Sequence, residues 1–253
     1  MRKIFVKNLI SMSLVVALII GSSFQVFALS ETKTPAKAGE VVYNGFLIDS
    51  NCGVKGYDAI HKIDLKKSPE KHTTECMKMK ECMGSGLGLS IQQGNGTYKF
   101  FKFDTASSKL ADDKIMMMTK KASDIMVTVK GVLKGDIITA SSIAETPEYI
   151  GFLIDSRCGV KGYDDIHKID LKKSPEKHTT ECMKMKECMG SGLGLSIKQA
   201  NGTYKFTKFD TAGSKLADDK IMMMTKKKFN NKVAAKVNLN GDTFNLVTIK
   251  EAQ

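Results

Sequence analysis

The stretch from Gly45 to Lys121 recurs from Gly151 to Lys227, shifted by 106 residues, with six differences in 77 positions. So close an internal copy argues against one large enzyme core. Each copy must bury its apolar residues in the same way. A unit of about 106 residues is an ordinary domain size and too long for a solenoid repeat. The sequence therefore predicts two sequential domains with separate cores, 41–146 and 147–253, joined through Glu145-Thr146-Pro147-Glu148. Divergence is concentrated at the ends: residues 122–145 and 228–251 agree at few positions yet share one pattern. In both, apolar alternation leads to a Gly-Asp pair (Gly135-Asp136, Gly241-Asp242) and a second apolar run, which reads as a β-hairpin.

The first 28 residues read as a signal peptide. Arg2, Lys3 and Lys7 form a basic start, Leu9 to Ile20 is an apolar run, and Val26-Phe27-Ala28 supplies a cleavage site. Residues 29–40 form a polar linker. Nothing downstream is apolar for long enough to span a membrane after signal removal. The expected location is extracytoplasmic, where disulfides are permitted. The formal charge is +12, from 39 Lys+Arg against 27 Asp+Glu; removing three basic residues with the signal leaves 36 − 27, or +9. Only Arg2 and Arg157 are arginines. Bidentate phosphate and base-edge contacts rely on Arg, so specific nucleic-acid recognition is not expected.

One repeat reads as follows. Val41 to Ile48 is an apolar strand that ends at Asp49. Ser68-Pro69-Glu70 opens a helix of roughly four turns that stops at Gly84 and Gly86. Leu87 to Gln93 and Thr97 to Phe103 are strands around Gly94-Asn95-Gly96, Asp104 or Thr105 caps a second helix to about Thr119, and the terminal hairpin follows. Five strands with a helix between the third and fourth is the order of an OB-type barrel. The expected fold is thus mostly β with α: two tandem OB-like small β-barrel domains, each with an inserted cysteine-bearing helix.

The opening Gly45-Phe46-Leu47-Ile48-Asp49-Ser50-Asn51-Cys52, the His72-x-x-x-Cys76 segment with Cys82, and the closing Val127-x-Val129-x-Gly131-x-x-x-Gly135-Asp136 hairpin resemble an uncharacterised group of small exported bacterial domains. That resemblance implies an OB-like fold and export, and assigns no activity. The second copy carries Val237 in place of Gly131.

Each copy holds three cysteines and two histidines. Cys52, His72, Cys76 and Cys82, with Cys158, His178, Cys182 and Cys188, could supply a Cys₃His set for zinc or copper. On a continuous helix His72, Cys76, Met79, Cys82 and Met83 share one core-facing stripe. Cys76 and Cys82 would then lie roughly 9 Å apart along the axis, too far to share an ion or a disulfide. In that case Cys52 pairs with one of them, stapling the first strand to the helix. If the helix breaks near Glu81, the four-ligand site becomes possible. His61 and His167 read as loop residues, and Met116-Met117-Met118 as core and rim packing. His72 and Cys76 are the only candidates for a nucleophilic pair, and no orienting third group is apparent. The leading expectation is a non-enzymatic, disulfide-stapled binding protein of the cell envelope, its Lys62–Lys71 and Lys168–Lys177 stretches facing an anionic wall polymer. The alternative is an exported zinc- or copper-binding protein.

Overall fold

The computed structural model describes residues 39–252, so the expected signal segment and all of the linker but Gly39 and Glu40 lie outside the described residues. No described helix is long and apolar enough to cross a membrane.

The first repeat runs β1 (Val41–Asp49), α1 (Ser50–Lys55), β2 (Tyr57–Asp58), β3 (Ile63–Asp64), a 3₁₀ turn (Pro69–Lys71), α2 (Thr74–Met77), α3 (Lys80–Ser85), β4 (Leu87–Gln92), β5 (Tyr98–Phe103), α4 (Thr105–Ala111), a π turn (Asp112–Met116), β6 (Met126–Lys134) and β7 (Ile137–Glu145). The second runs β8 (Glu148–Asp155), α5 (Ser156–Lys161), β9 (Tyr163–Asp164), β10 (Ile169–Asp170), α6 (Thr180–Lys184), α7 (Lys186–Met189), β11 (Leu193–Lys198), β12 (Tyr204–Phe209), α8 (Thr211–Ala217), β13 (Lys232–Asn240) and β14 (Thr243–Glu251). The protein is therefore mostly β, with two similar five-stranded sheets.

In each sheet the hydrogen bonding returns to where it began, β1-β4-β5-β7-β6 and back to β1, and likewise for the copy. β1 achieves this by pairing along its first half with β6 (Val41↔Gly131 to Phe46↔Met126) and along its second with β4 (Phe46↔Ser90 to Asp49↔Leu87). Gly45 lies where β1 passes from one neighbour to the other, and a Cβ there would sit 2.5 Å from the Ser90 carbonyl oxygen. Inward residues Leu47, Leu89, Phe103, Val127, Val129 and Ile138 fill the first core; Leu153, Leu195, Phe209, Val233, Ala235 and Phe244 fill the second. α4 is capped as expected: the Asp104 carboxylate accepts from the Ser107 N–H at 2.8 Å.

The expected four-turn helix from Ser68 to Gly84 is not formed. The segment is a 3₁₀ turn, an extended pair (His72, Thr73), then α2 and α3 separated by an extended Met79 (φ −63, ψ 142). The loop ahead of β6 explains the first break. The Thr74 N–H that a continuous helix would give to Glu70 goes instead to the Ala122 carbonyl, at 2.8 Å, and the Glu70 carbonyl accepts from the Asp124 N–H, also at 2.8 Å. Both partners of one helical hydrogen bond are thus taken by residues far along the chain, Ala122 and Asp124. The Thr73 hydroxyl then restarts the helix by accepting from the Cys76 N–H at 3.1 Å. The expected core-facing stripe fails with it: His72, Cys76 and Cys82 are buried, but Met79 and Met83 are 41% and 50% exposed.

The repeats meet directly, and Val247 of β14 packs against the first repeat's cluster of Phe46, Ile48 and Met126. Lys236 of β13, 3% exposed, reaches the carboxylate of Asp124 and, at 3.0 Å, its carbonyl oxygen. Its ammonium lies 5.7 Å from the ring centre of Phe46. Beside it the Asn238 amide donates to Asn44 Oδ1 at 2.9 Å, and the Thr128 hydroxyl lies 2.7 Å from Asn238 Oδ1. The matching positions in the opposite repeats are Asn230, Lys130, Ile150, Val132 and Ala234. Divergence at the repeat ends therefore falls on the residues that join the two halves.

Candidate metal centre

Three chain segments converge at the closed end of each repeat. The first is the β1–α1 junction. Asp49 caps α1, its Oδ1 accepting from the Cys52 N–H at 3.0 Å, which leaves Oδ2 free to face the interior. α1 is short because Gly56 ends it in the left-handed region (φ 67). The second is the β2–β3 hairpin. Asp58 Oδ1 accepts from the N–H groups of Ile60 and His61, and its Oδ2 lies 2.8 Å from His61 Nδ1. The third is the broken segment carrying His72, Cys76 and Cys82.

His72 is 1% exposed, and both ring nitrogens face carboxylates: Nε2 lies 2.7 Å from Asp49 Oδ2 and Nδ1 lies 3.2 Å from Asp58 Oδ2. The copy repeats this, with His178 Nε2 2.7 Å from Asp155 and Nδ1 3.0 Å from Asp164. Burial works to raise the Asp49 carboxyl, but the hydrogen bonds from His72 and the Cys52 N–H outweigh it and hold the group below the usual carboxylate range. Asp58 is held low in the same way, against its burial, by His61 and by the charge of His72.

One ligand atom each from Asp49, Cys52, His72 and Cys76 lies within 4.8 Å of all the others, and all four residues are buried; Asp155, Cys158, His178 and Cys182 do the same. These groups could hold a metal ion. A tetrahedral ion with bonds of about 2.0–2.3 Å needs ligand atoms roughly 3.3–3.8 Å apart, so Asp49 Oδ2 and His72 Nε2, now 2.7 Å apart, would have to separate to admit one. Cys82 borders this group, buried in one cluster with Cys52 and Cys76. A second grouping, Asp58, His61 and Cys76, shares one cysteine with the first. The hydroxyls of Ser50 and Ser156, next in sequence to the two capping aspartates, are buried with no hydrogen-bond partner.

Of the residues singled out in the sequence, Cys52, His72 and Cys76 come together, as do Cys158, His178 and Cys182, with Cys82 and Cys188 alongside. Sequence reasoning missed Asp49 and Asp58. The available signal was the Asp-x-x-Cys spacing, which marks a helix cap whose second oxygen is free. The expected disulfide staple is not formed: all six cysteines are free thiols and buried. Burial, followed by the charge of Asp49, pushes the Cys52 thiol up to about 12. Cys76 and Cys82 are also raised, chiefly by burial. Thiols so disposed are poor nucleophiles, which disfavours the His72–Cys76 nucleophilic pair. Met116 is buried, while Met117 and Met118 are 73% exposed.

No protein-family model matches the chain, and no curated protein or solved structure matches it at a significant level.

Proposed function

We propose that the protein is an exported metal-binding protein that holds one zinc-class ion in each of two OB-like domains. The observation that carries this reading is the fourfold convergence of buried oxygen, nitrogen and sulfur ligands from separate segments, present twice. A mixed oxygen, nitrogen and sulfur tetrahedron suits zinc better than the hard cations or a purely thiolate-bound Cu(I). Asp49, Cys52, His72 and Cys76 would be the ligands in the first repeat. Asp58 would stay on Nδ1 of His72, fixing the tautomer and turning Nε2 toward the ion. The ion would replace the direct 2.7 Å contact between His72 Nε2 and Asp49 Oδ2. Four buried protein ligands leave no open position for substrate, so the centre suits holding a metal rather than activating water. The OB-like assignment is supported by the closed order of strands one-two-three-five-four in each repeat, with strands three and five parallel. Export is supported by the N-terminal signal pattern alone.

The test is metal stoichiometry by native mass spectrometry after loading with zinc and removal of excess. The expected result is two ions per chain, one after Cys76→Ser, and none after Cys76→Ser with Cys182→Ser. Retention of no zinc by the parent chain would overturn the proposal. So would stoichiometric Cu(I) that depends on Cys82 and not on Asp49.

A further inference from the structure

Beside the metal centre, each sheet carries a cleft on the outer face of β4 and β5, bounded by α1 on one side and the β6–β7 turn on the other. It measures about 330 Å³ in the first repeat and about 370 Å³ in the second, at the lower end of the range for small-molecule sites. Its floor is Phe100. That ring is seated on two glycines: a Cβ on Gly53 of α1 would lie 2.4 Å from it, and so would a Cβ on Gly88 of β4. Phe206 sits in the same way on Gly159 and Gly194, at 2.4 and 2.5 Å. Both glycines crowd the Cδ2–Cε2–Cζ edge of the ring and hold it in place. The rim carries Lys66, Lys99 and Lys102, all exposed, and Asp136 from the β6–β7 turn. The stem of Lys66 lies flush on Gly56, where a Cβ would come within 2.5 Å of it. Lys99 is paired with Asp136 at 2.8 Å, but both are more than half exposed, so an incoming anion can replace that partner at little cost. Three lysines and one aspartate leave the rim at 3 − 1, or +2.

Agreement between the near-identical parts of the repeats says little. The tails are different. Residues 122–145 and 228–251 agree at only seven of 24 positions, yet Gly135-Asp136 and Gly241-Asp242 are among them. Asp136 and Asp242 are the residues that these tails contribute to the clefts. The left-handed turn explains the glycine (φ 60 in both); the cleft gives a reason for the aspartate.

We infer that this cleft is a binding site for an acidic carbohydrate, one per repeat. A sugar ring would lie with its C–H face on Phe100, its carboxylate or phosphate among Lys66, Lys99 and Lys102, and a hydroxyl on Asp136. OB-type barrels present this face and these loops to saccharides and to nucleic acids. The residues favour the saccharide. Recognition of nucleic-acid phosphates leans on Arg, and this cleft, lined by Tyr98 as well as Phe100, offers lysines only. The inference stands independently of the metal proposal, since the cleft uses none of its ligands.

The experiment is titration calorimetry of the full chain with four probes: tetragalacturonate, a glucosylated poly(glycerol phosphate), neutral dextran and a dT oligonucleotide. Lys99→Gln, Lys102→Gln, Lys205→Gln and Lys208→Gln are combined in one variant; a second carries Phe100→Leu and Phe206→Leu. Binding of an acidic glycan is expected to weaken by at least about tenfold in the first variant and measurably in the second, with zinc content unchanged. The two acidic probes separate carboxylate from phosphate as the anion. Equal binding by parent and lysine variant would overturn the inference, as would no acidic-glycan binding, or tighter binding of dextran or dT. A parent chain that binds acidic glycan but retains no zinc would instead count against the metal proposal alone.

Discussion

Replacing Asp124 by Asn tests the account of how the two halves are held together. The change is nearly isosteric, and the backbone tolerates it: Asp124 has φ 61, and the second repeat already carries Asn230 there, also at φ 61. What is lost is the carboxylate facing Lys236, whose side chain is 3% exposed. Stranding a buried charge costs about 3–5 kcal/mol. Two features reduce that figure here. Asp124 is itself 31% exposed, and Lys236 keeps the Asp124 carbonyl at 3.0 Å. The expected cost is about 2 kcal/mol, or about 4–8 °C in Tm for a unit of this size. Lys236→Met, which removes the charge and keeps the stem against Phe46, should cost about 1 kcal/mol or less. In that background Asp124→Asn should be close to neutral. The pH response has a definite sign. Burial lowers the Lys236 pKa below its ordinary value. The unfolded chain therefore binds the proton more readily, and stability rises with pH toward the ordinary lysine range. The Asp124→Asn deficit should shrink in that direction. Thermal and urea unfolding supply the measurements. A cost below about 0.5 kcal/mol, or an equal cost with Lys236 already gone, would refute the reasoning.

Two further outcomes are expected. Zinc affinity should rise with pH by up to about 100-fold per unit near neutrality, because the Cys52 and Cys76 thiols, both raised, must lose their protons to ligate; competition with a chelator at pH 6.5, 7.0 and 7.5 measures this, and a flat profile would exclude thiolate ligation. Gly53→Ala should destabilise by about 1–2 kcal/mol despite better helix propensity, because its Cβ would strike Phe100, whereas Gly84→Ala in α3, with nothing within 4 Å, should stabilise by about 0.5–1 kcal/mol; equal effects in urea unfolding would contradict the described seat of the ring.

The strands and α4 were legible because local signals and tertiary structure agree there. Val127 and Val129 alternate into the core, Gly135 turns the hairpin, and Asp104 caps a helix whose hydrogen bonds stay local. The cysteine segment was not. Its helical signals at Ser68-Pro69 are genuine, but Ala122 and Asp124 take the hydrogen bond that would have carried the helix through Thr74, and no local pattern announces partners so far along the chain. Cys52, His72 and Cys76 were legible as chemistry. Asp49 reads in sequence as the end of a strand; only the fold shows one of its oxygens capping α1 and the other facing His72. The junction between the repeats was invisible for another reason. Lys236 and Asp124 are each unremarkable on a charged surface, and only their meeting buries one of them.

That junction sets unlike faces together, a lysine face of the second repeat on an aspartate face of the first. A contact of this head-to-tail kind has no symmetry axis to close it, and identical copies would go on adding into a filament. One end remains ready for such growth: Lys130, the counterpart of Lys236, is exposed. The other end is not, because the second repeat presents Asn230 where a further lysine would need a carboxylate. Asn230, with Ile150 and Ala234 in place of Asn44 and Thr128, thus removes from the free face of the second repeat the polar groups that the junction uses on the first.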